Sequence, residues 1–231
     1  MPAIGTISTM PSRMDSFAQV LDRVLPQLDR LYVFLDGFAE VPGLLIDSEK
    51  VCPVMVPAAD TLFASNRFRV GQLLESEADI VCVDDDILYP ADYVQAMRGH
   101  LNGLSRPAIV GVHGDIFIPP YLSYVRHRIK IHFSRALKRP AAVNALGTGT
   151  VVYRSSTLRF DPRSWQHPGL GDLSLAVEAA KANVPMICVE RPARWLEAID
   201  EGQADSLWTR AQRDESRHVA LMRELVRLQV S

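Results

Sequence analysis

Cysteine is scarce, with Cys52, Cys82 and Cys188 scattered over 231 residues. Their number is odd and no two have the close spacing of a thiolate metal site, so neither a disulfide framework nor a zinc ribbon is expected. Cys82 and Cys188 sit inside the apolar runs 80–83 and 186–189, where a thiol packs as a small hydrophobe. The six histidines form no cluster with metal-ligand spacing. An excess of one charge is missing too: 25 Lys and Arg stand against 27 Asp and Glu, a formal net charge of -2. That balance argues against nonspecific nucleic-acid binding, and no nucleic-acid partner is expected. No apolar run approaches the roughly 18–20 residues of a membrane span, and the N-terminus lacks a basic-then-apolar leader. The expectation is a soluble, cytoplasmic protein. There is no internal repeat, no Walker phosphate loop and no Gly-x-Gly-x-x-Gly fingerprint. Gly147-Thr148-Gly149-Thr150 is too short for either glycine motif, and a close backbone approach is its expected meaning.

What is present is a globular composition, 48% hydrophobic and 23% charged, in a length that suits one domain over 1–231. Short β-rich runs alternate with helical patterns, which predicts an α/β sheet. Strands are expected at 3–8, 31–35, 51–56, 80–83, 108–112 and 186–189, with a Gly-interrupted β-rich stretch at 145–153. Ser12 and Asp15 resemble a capping box for a helix burying Phe17, Leu21, Val24 and Leu25. Further helices are expected from Ser65 to Leu74, over 172–182, and as a charged amphipathic C-terminal helix over 205–231. That last helix is expected to pack against the domain or to form a homodimer contact.

The most informative stretch is Ile80-Val81-Cys82-Val83-Asp84-Asp85-Asp86-Ile87-Leu88-Tyr89-Pro90. A buried strand ending in carboxylates delivers them to the carboxyl edge of the sheet, where open α/β sheets bind ligands. A side-chain period of two puts Asp84 and Asp86 on one side. Two such carboxylates facing a diphosphate suit Mn2+ or Mg2+. The plain alternative is an acidic loop ahead of the helix that starts near Pro90.

The segment "VDDDILYPADY" at 83–93 resembles the D-x-D segment of GT-A-type glycosyltransferases, especially the inverting family 2. "IGTISTMPSR" at 4–13 and "YVFLDGF" at 32–38 are similar to the family's first two strands. "GTGTVVYR" at 147–154 and "GLGDLSLAVEAAKA" at 169–182 are similar to its acceptor-side strand and acidic helix start. The resemblance implies a mixed sheet with helices on both faces and a Rossmann-like nucleotide-binding half over 1–104. It implies an acceptor half over 105–204. It further implies metal-dependent, inverting transfer from a nucleotide-sugar donor, a UDP-sugar by preference, to a hydroxyl of a glycan or lipid-linked acceptor. Asp86 would bind the metal with Asp84. Thr6, Ser8, Arg13, Asp36, Arg67, Asp84 and Asp85 would hold the nucleotide sugar, and Asp172 would be the general base. Gly171-Asp172 replaces the family's common Glu-Asp pair, and residues 191–195 match its processive Arg-Trp motif only loosely.

Rival enzyme readings fit less well. A haloacid-dehalogenase phosphatase wants Gly-Thr after its D-x-D, where Ile87-Leu88 stands. A sugar nucleotidyltransferase wants a Gly-rich basic loop after the first strand, where a single glycine stands. A catalytically silent nucleotide-sugar or glycan-binding module on the same fold is the alternative from another class. Residues 121–140 carry six Lys or Arg and no acid. Arg126, Arg128 and Lys130 are therefore expected on the acceptor side, facing an anionic acceptor or the inner membrane surface. His167, just before Asp172, is a further candidate for acceptor contact, with an ordinary loop histidine as the plain alternative. A solvated helix is the plain alternative for that stretch. His127 and His132 are expected in solvent, and His218, after Asp172, in packing with Leu221, Met222 and Leu225.

Overall fold

The computed structural model describes residues 1–199 and 214–230. The chain starts with β1 (Ala3–Thr9), buried along its whole length. A 3-10 turn at Pro11–Arg13 leads into α1 (Met14–Val24), which buries Phe17, Val20, Leu21 and Val24, one stripe at helical spacing. Met10 and Arg13, the residues at the N-cap positions of these two turns, make no side-chain cap, and Ser12 lies inside the 3-10 turn. Pro11 starts the tight turn instead, with its fixed φ and missing N–H suited to a first turn. β2 (Arg30–Asp36) returns parallel to β1, β3 (Val51–Val56) lies parallel outside β2, and β4 (Asp79–Cys82) lies parallel on the other side of β1. Between β3 and β4 the chain winds as a ten-residue 3-10 helix, Phe63–Gln72, rather than the expected α-helix.

The remaining elements are β5 (Ile87–Leu88), α2 (Tyr93–Asn102), β6 (Ile109–Gly111), β7 (Gly114–Phe117), β8 (Arg128–Ile131), β9 (Ala141–Val143) and β10 (Ala145–Leu146). After them come β11 (Val152–Arg154), α3 (Gly171–Lys181), β12 (Met186–Cys188), β13 (Glu197–Ala198) and α4 (Ser216–Val230). Eight strands form one mixed sheet in the order β3-β2-β1-β4-β11-β6-β12-β9, with β11 antiparallel to both neighbours. β10-β7-β8 make a small antiparallel sheet, and β13 pairs with β5. Residues 121–140 therefore fold as turns and the strand β8, where a helix was the alternative. The expected C-terminal helix is present from Ser216, and its 205–213 part lies outside the described residues.

Both faces of the large sheet are covered. Ile80 and Cys82 of β4 join Phe68, α3 and α4 on one face, and Val81 joins α1 and α2 on the other. A strand buried on both sides reads as a continuous apolar run, which is why β4 stood out in the sequence. The order β3-β2-β1-β4 puts the carboxyl ends of β1 and β4 side by side at one edge. Among the described residues no helix is long and apolar enough to cross a membrane.

Candidate functional site

β4 ends at Cys82, so Asp84, Asp85 and Asp86 occupy the turn before β5. The period-two argument does not apply to a turn, and neighbours orient the side chains instead. The buried guanidinium of Arg67 lies 2.5 Å from Asp84 Oδ1. It is held by the Ala64 and Val83 carbonyls at 2.8 and 2.9 Å. On the other side of Asp84, a methyl group on Gly149 would sit 1.8 Å from Oδ2, so only glycine leaves the carboxylate room. The Tyr89 hydroxyl takes a hydrogen bond from the Asp84 N–H at 2.8 Å and donates to the Gly149 carbonyl at 2.5 Å, tying the aspartate turn to that glycine. Asp86 Oδ2 lies 3.4 Å from Arg13.

The three carboxylates burden one another. Burial first, then the charges of Asp84 and Asp85, push Asp86 up to about 7, against the pull of Arg13 and Arg67. Asp85 is raised by burial and by Asp84, while the Thr9 hydroxyl works the other way. Like charges held this close favour a shared cation. A divalent ion fits the donors present: Asp86 keeps 35% of its side chain exposed, and both carboxylates offer hard oxygen. Among the described residues no group of three or more His, Cys, Asp or Glu is placed to hold a metal. Asp86, with Asp84 beside it, would have to share the ion with ligand oxygens and water, as Mg2+ sites commonly do.

Asp172 is the second residue of α3, and the N-cap position belongs to Leu170. Its Oδ1 instead accepts from the Thr148 N–H and hydroxyl, both at 2.8 Å. Thr148 and Gly149 are neighbours in one 3-10 turn, Thr148–Thr150. One turn thus grips Asp172 with one residue and backs Asp84 with the next. Burial raises the Asp172 carboxyl, the two Thr148 bonds oppose that, and the Asp84 charge adds to the rise.

The structure places the other expected residues unevenly. Thr6 is fully buried and donates to the Arg67 carbonyl at 2.7 Å, so it acts on the site through the Arg67 backbone. Ser8 donates to the Phe63 carbonyl at 3.1 Å. Asp36, at the carboxyl end of β2, accepts from the Thr61 hydroxyl at 2.5 Å. Arg126 is exposed on a turn. Arg128 is buried, paired with Asp115 at 2.7 Å, and lies over the Tyr124 ring at 4.2 Å. It is therefore a structural ion pair and not an open cation. Lys130 lies on the Asp172 side: burial and Arg128 lower its pKa, and the Asp115 and Asp172 charges counteract them. His167 is in the loop before α3, and the His218 ring packs 4.8 Å from Tyr124. His127 is not simply solvated, because its Nδ1 accepts from the Leu122 and Ser123 N–H groups at 2.9 and 3.1 Å. His132 stacks on Phe133, with ring centroids 4.3 Å apart. Glu197 pairs with Arg194 at 3.1 Å.

No protein-family model matches the sequence, and no curated protein matches it. The structure is similar to a solved structure described as GalNAc-T7 with UDP, GalNAc and Mn2+, with a TM-score of 0.56 and 8% identity. The match covers 84% of this chain and 45% of that one, so this chain spans less than half of its length. At this identity the likeness establishes the fold: a mixed α/β architecture of the GT-A type, shared with that glycosyltransferase.

Proposed function

We propose that this chain transfers a sugar from a nucleotide-sugar donor, a UDP-sugar by preference, to an acceptor hydroxyl. The observation that carries the reading is the Thr148–Thr150 turn, which joins the Asp84–Asp86 turn to Asp172 at one sheet edge. The neighbour's bound UDP and Mn2+ support a nucleotide and a divalent metal for this fold.

Residues 1–104 would bind the donor, with Asp36 and Arg13 beside the nucleotide, and residues 105–204 would bind the acceptor. Asp86, with Asp84 beside it, would hold Mn2+ or Mg2+, which offsets charge on the departing diphosphate as a Lewis acid. Arg67 fixes Asp84 by an ion pair from a buried guanidinium. Asp172 takes the acceptor proton: Thr148 occupies Oδ1, so Oδ2 lies outside those bonds, and a raised pKa makes a stronger base. Attack from the side opposite the leaving diphosphate inverts the anomeric carbon. Lys130 and His167 flank the acceptor side, while Arg128 belongs to the scaffold. The decisive experiment is a nucleotide-sugar panel with and without Mn2+, scored by thermal shift and by nucleoside diphosphate release. Metal-dependent stabilisation without release or transfer would favour a silent binding module.

A further inference from the structure

A cavity of about 510 Å3 opens beside β4, away from the aspartate turn. That volume is within the roughly 300–1,000 Å3 of small-molecule sites. Ile80, in its wall, is the second residue of β4, four residues before Asp84. At about 3.3 Å per strand residue, the cavity and the aspartate turn are about 13 Å apart along the chain.

Its floor is apolar except at one atom. Phe68, Ile80 and Tyr153 are at most 2% exposed. The Tyr153 hydroxyl makes no hydrogen bond among the described residues, and burial holds its ionisation well above the usual phenol range, so it remains a donor. That hydroxyl lines the cavity and is free to donate to a ligand oxygen there. One wall is Phe160, stacked on Trp165 with centroids 5.3 Å apart and 11° between planes. Gln72 secures that wall by donating to the Phe160 carbonyl at 2.8 Å. The rim carries Glu75, Glu77 and Ser156, with Ser156 donating to Glu77.

We infer that this cavity binds a neutral saccharide ring at a site separate from the nucleotide. An aromatic wall suits the C–H face of a sugar, the rim carboxylates accept from its hydroxyls, and Tyr153 donates to a ring or hydroxyl oxygen. Phosphate is disfavoured, since Glu75 and Glu77 face only one lining cation, Arg159.

The test uses the whole chain with UDP and Mn2+ present. Glucose, galactose, N-acetylglucosamine and lactose are titrated by calorimetry and by tryptophan fluorescence, with choline as the cationic comparison. At least one sugar should bind saturably, and Tyr153→Phe and Glu77→Gln should each weaken it about fivefold or more while UDP affinity stays unchanged. Glu77 is exposed, so its variant folds even if Tyr153→Phe does not. No saturable sugar binding, binding untouched by both variants, or a preference for choline would each overturn the inference. Sugar binding displaced by UDP would overturn it as well, by assigning the sugar to the catalytic edge.

Discussion

Gly149 stands where a methyl group would overlap the Asp84 carboxylate at 1.8 Å. Arg67 and Tyr89 hold that turn from the other sides, so Asp84 cannot swing away without breaking an ion pair. Gly149→Ala is expected to fold and to lose at least tenfold in Mn2+-dependent UDP affinity, read by calorimetry. Affinity equal to wild type would mean that Asp84 has no part in donor binding. Asp86→Ala should remove the difference in UDP affinity between Mn2+ and chelator, and a difference that persists would place the metal elsewhere. Asp172 is tested through turnover. An N-cap aspartate replaced by Asn keeps its capping bond, but Leu170 holds the cap here, so Asp172→Asn isolates loss of the base. It should bind UDP normally and transfer sugar at least 10²-fold more slowly, as loss of general-base catalysis typically costs. Near-wild-type turnover would move the base away from position 172.

Among elements, the small sheet separates scaffold from site. Arg128 of β8 and Asp115 of β7 form an ion pair with side chains 4% and 9% exposed. Removing one partner leaves a buried charge, so Arg128→Leu should cost about 3–5 kcal/mol in urea unfolding. Arg128→Leu with Asp115→Leu should recover most of that loss, whereas Arg126→Gln on the exposed turn should cost within about 0.5 kcal/mol. Equal effects at 126 and 128 would refute the assignment. The same sheet marks the limit of what the sequence conveys. β1 to β4 are runs of four to seven residues buried in a large sheet, and their apolar patterns announce them. β7 to β10 are two to four residues long and owe their existence to partners elsewhere in the chain, so a basic segment gave no sign of a strand. The aspartate turn stood out because a fully apolar run leads straight into three carboxylates, and Asp172 only through the resemblance of 169–182 to the family's acidic helix start. Tyr89 and Gly149 were not read as site residues, because the bond that gives them a role joins positions 60 residues apart.

At the scale of the whole molecule, charge is distributed so that opposing titrations overlap. His113, at the junction of the two larger sheets, is held down to about 3 by burial first, then by Lys130, His132, Arg128 and Arg191 around it. Lys130, Arg128 and Arg191 are cations and no anion is named beside the ring, so the imidazole stays neutral in the native protein. An unfolded chain protonates this histidine below its ordinary value of 6.5. Between 6.5 and about 3 the unfolded state binds the extra proton, so this residue's contribution to stability is intact above pH 6.5 and falls as pH drops. Asp86, raised to about 7, and the raised Asp85, Asp115 and Asp172 act in the opposite sense. Their native forms keep protons that the unfolded chain has released, which adds stability as pH falls toward the ordinary carboxylate range. The wild-type curve mixes these opposing contributions, so only a difference isolates His113. His113→Phe keeps a ring against His132 and Phe133 and removes the titration. From pH 7 to pH 4.5, unfolding free energy should fall more for the wild type than for the variant, by up to about 1.4 kcal/mol for each unit below 6.5. Parallel stability curves for the two proteins would show that His113 is protonated alike in the native and unfolded states, and that the cations around it leave its proton affinity untouched.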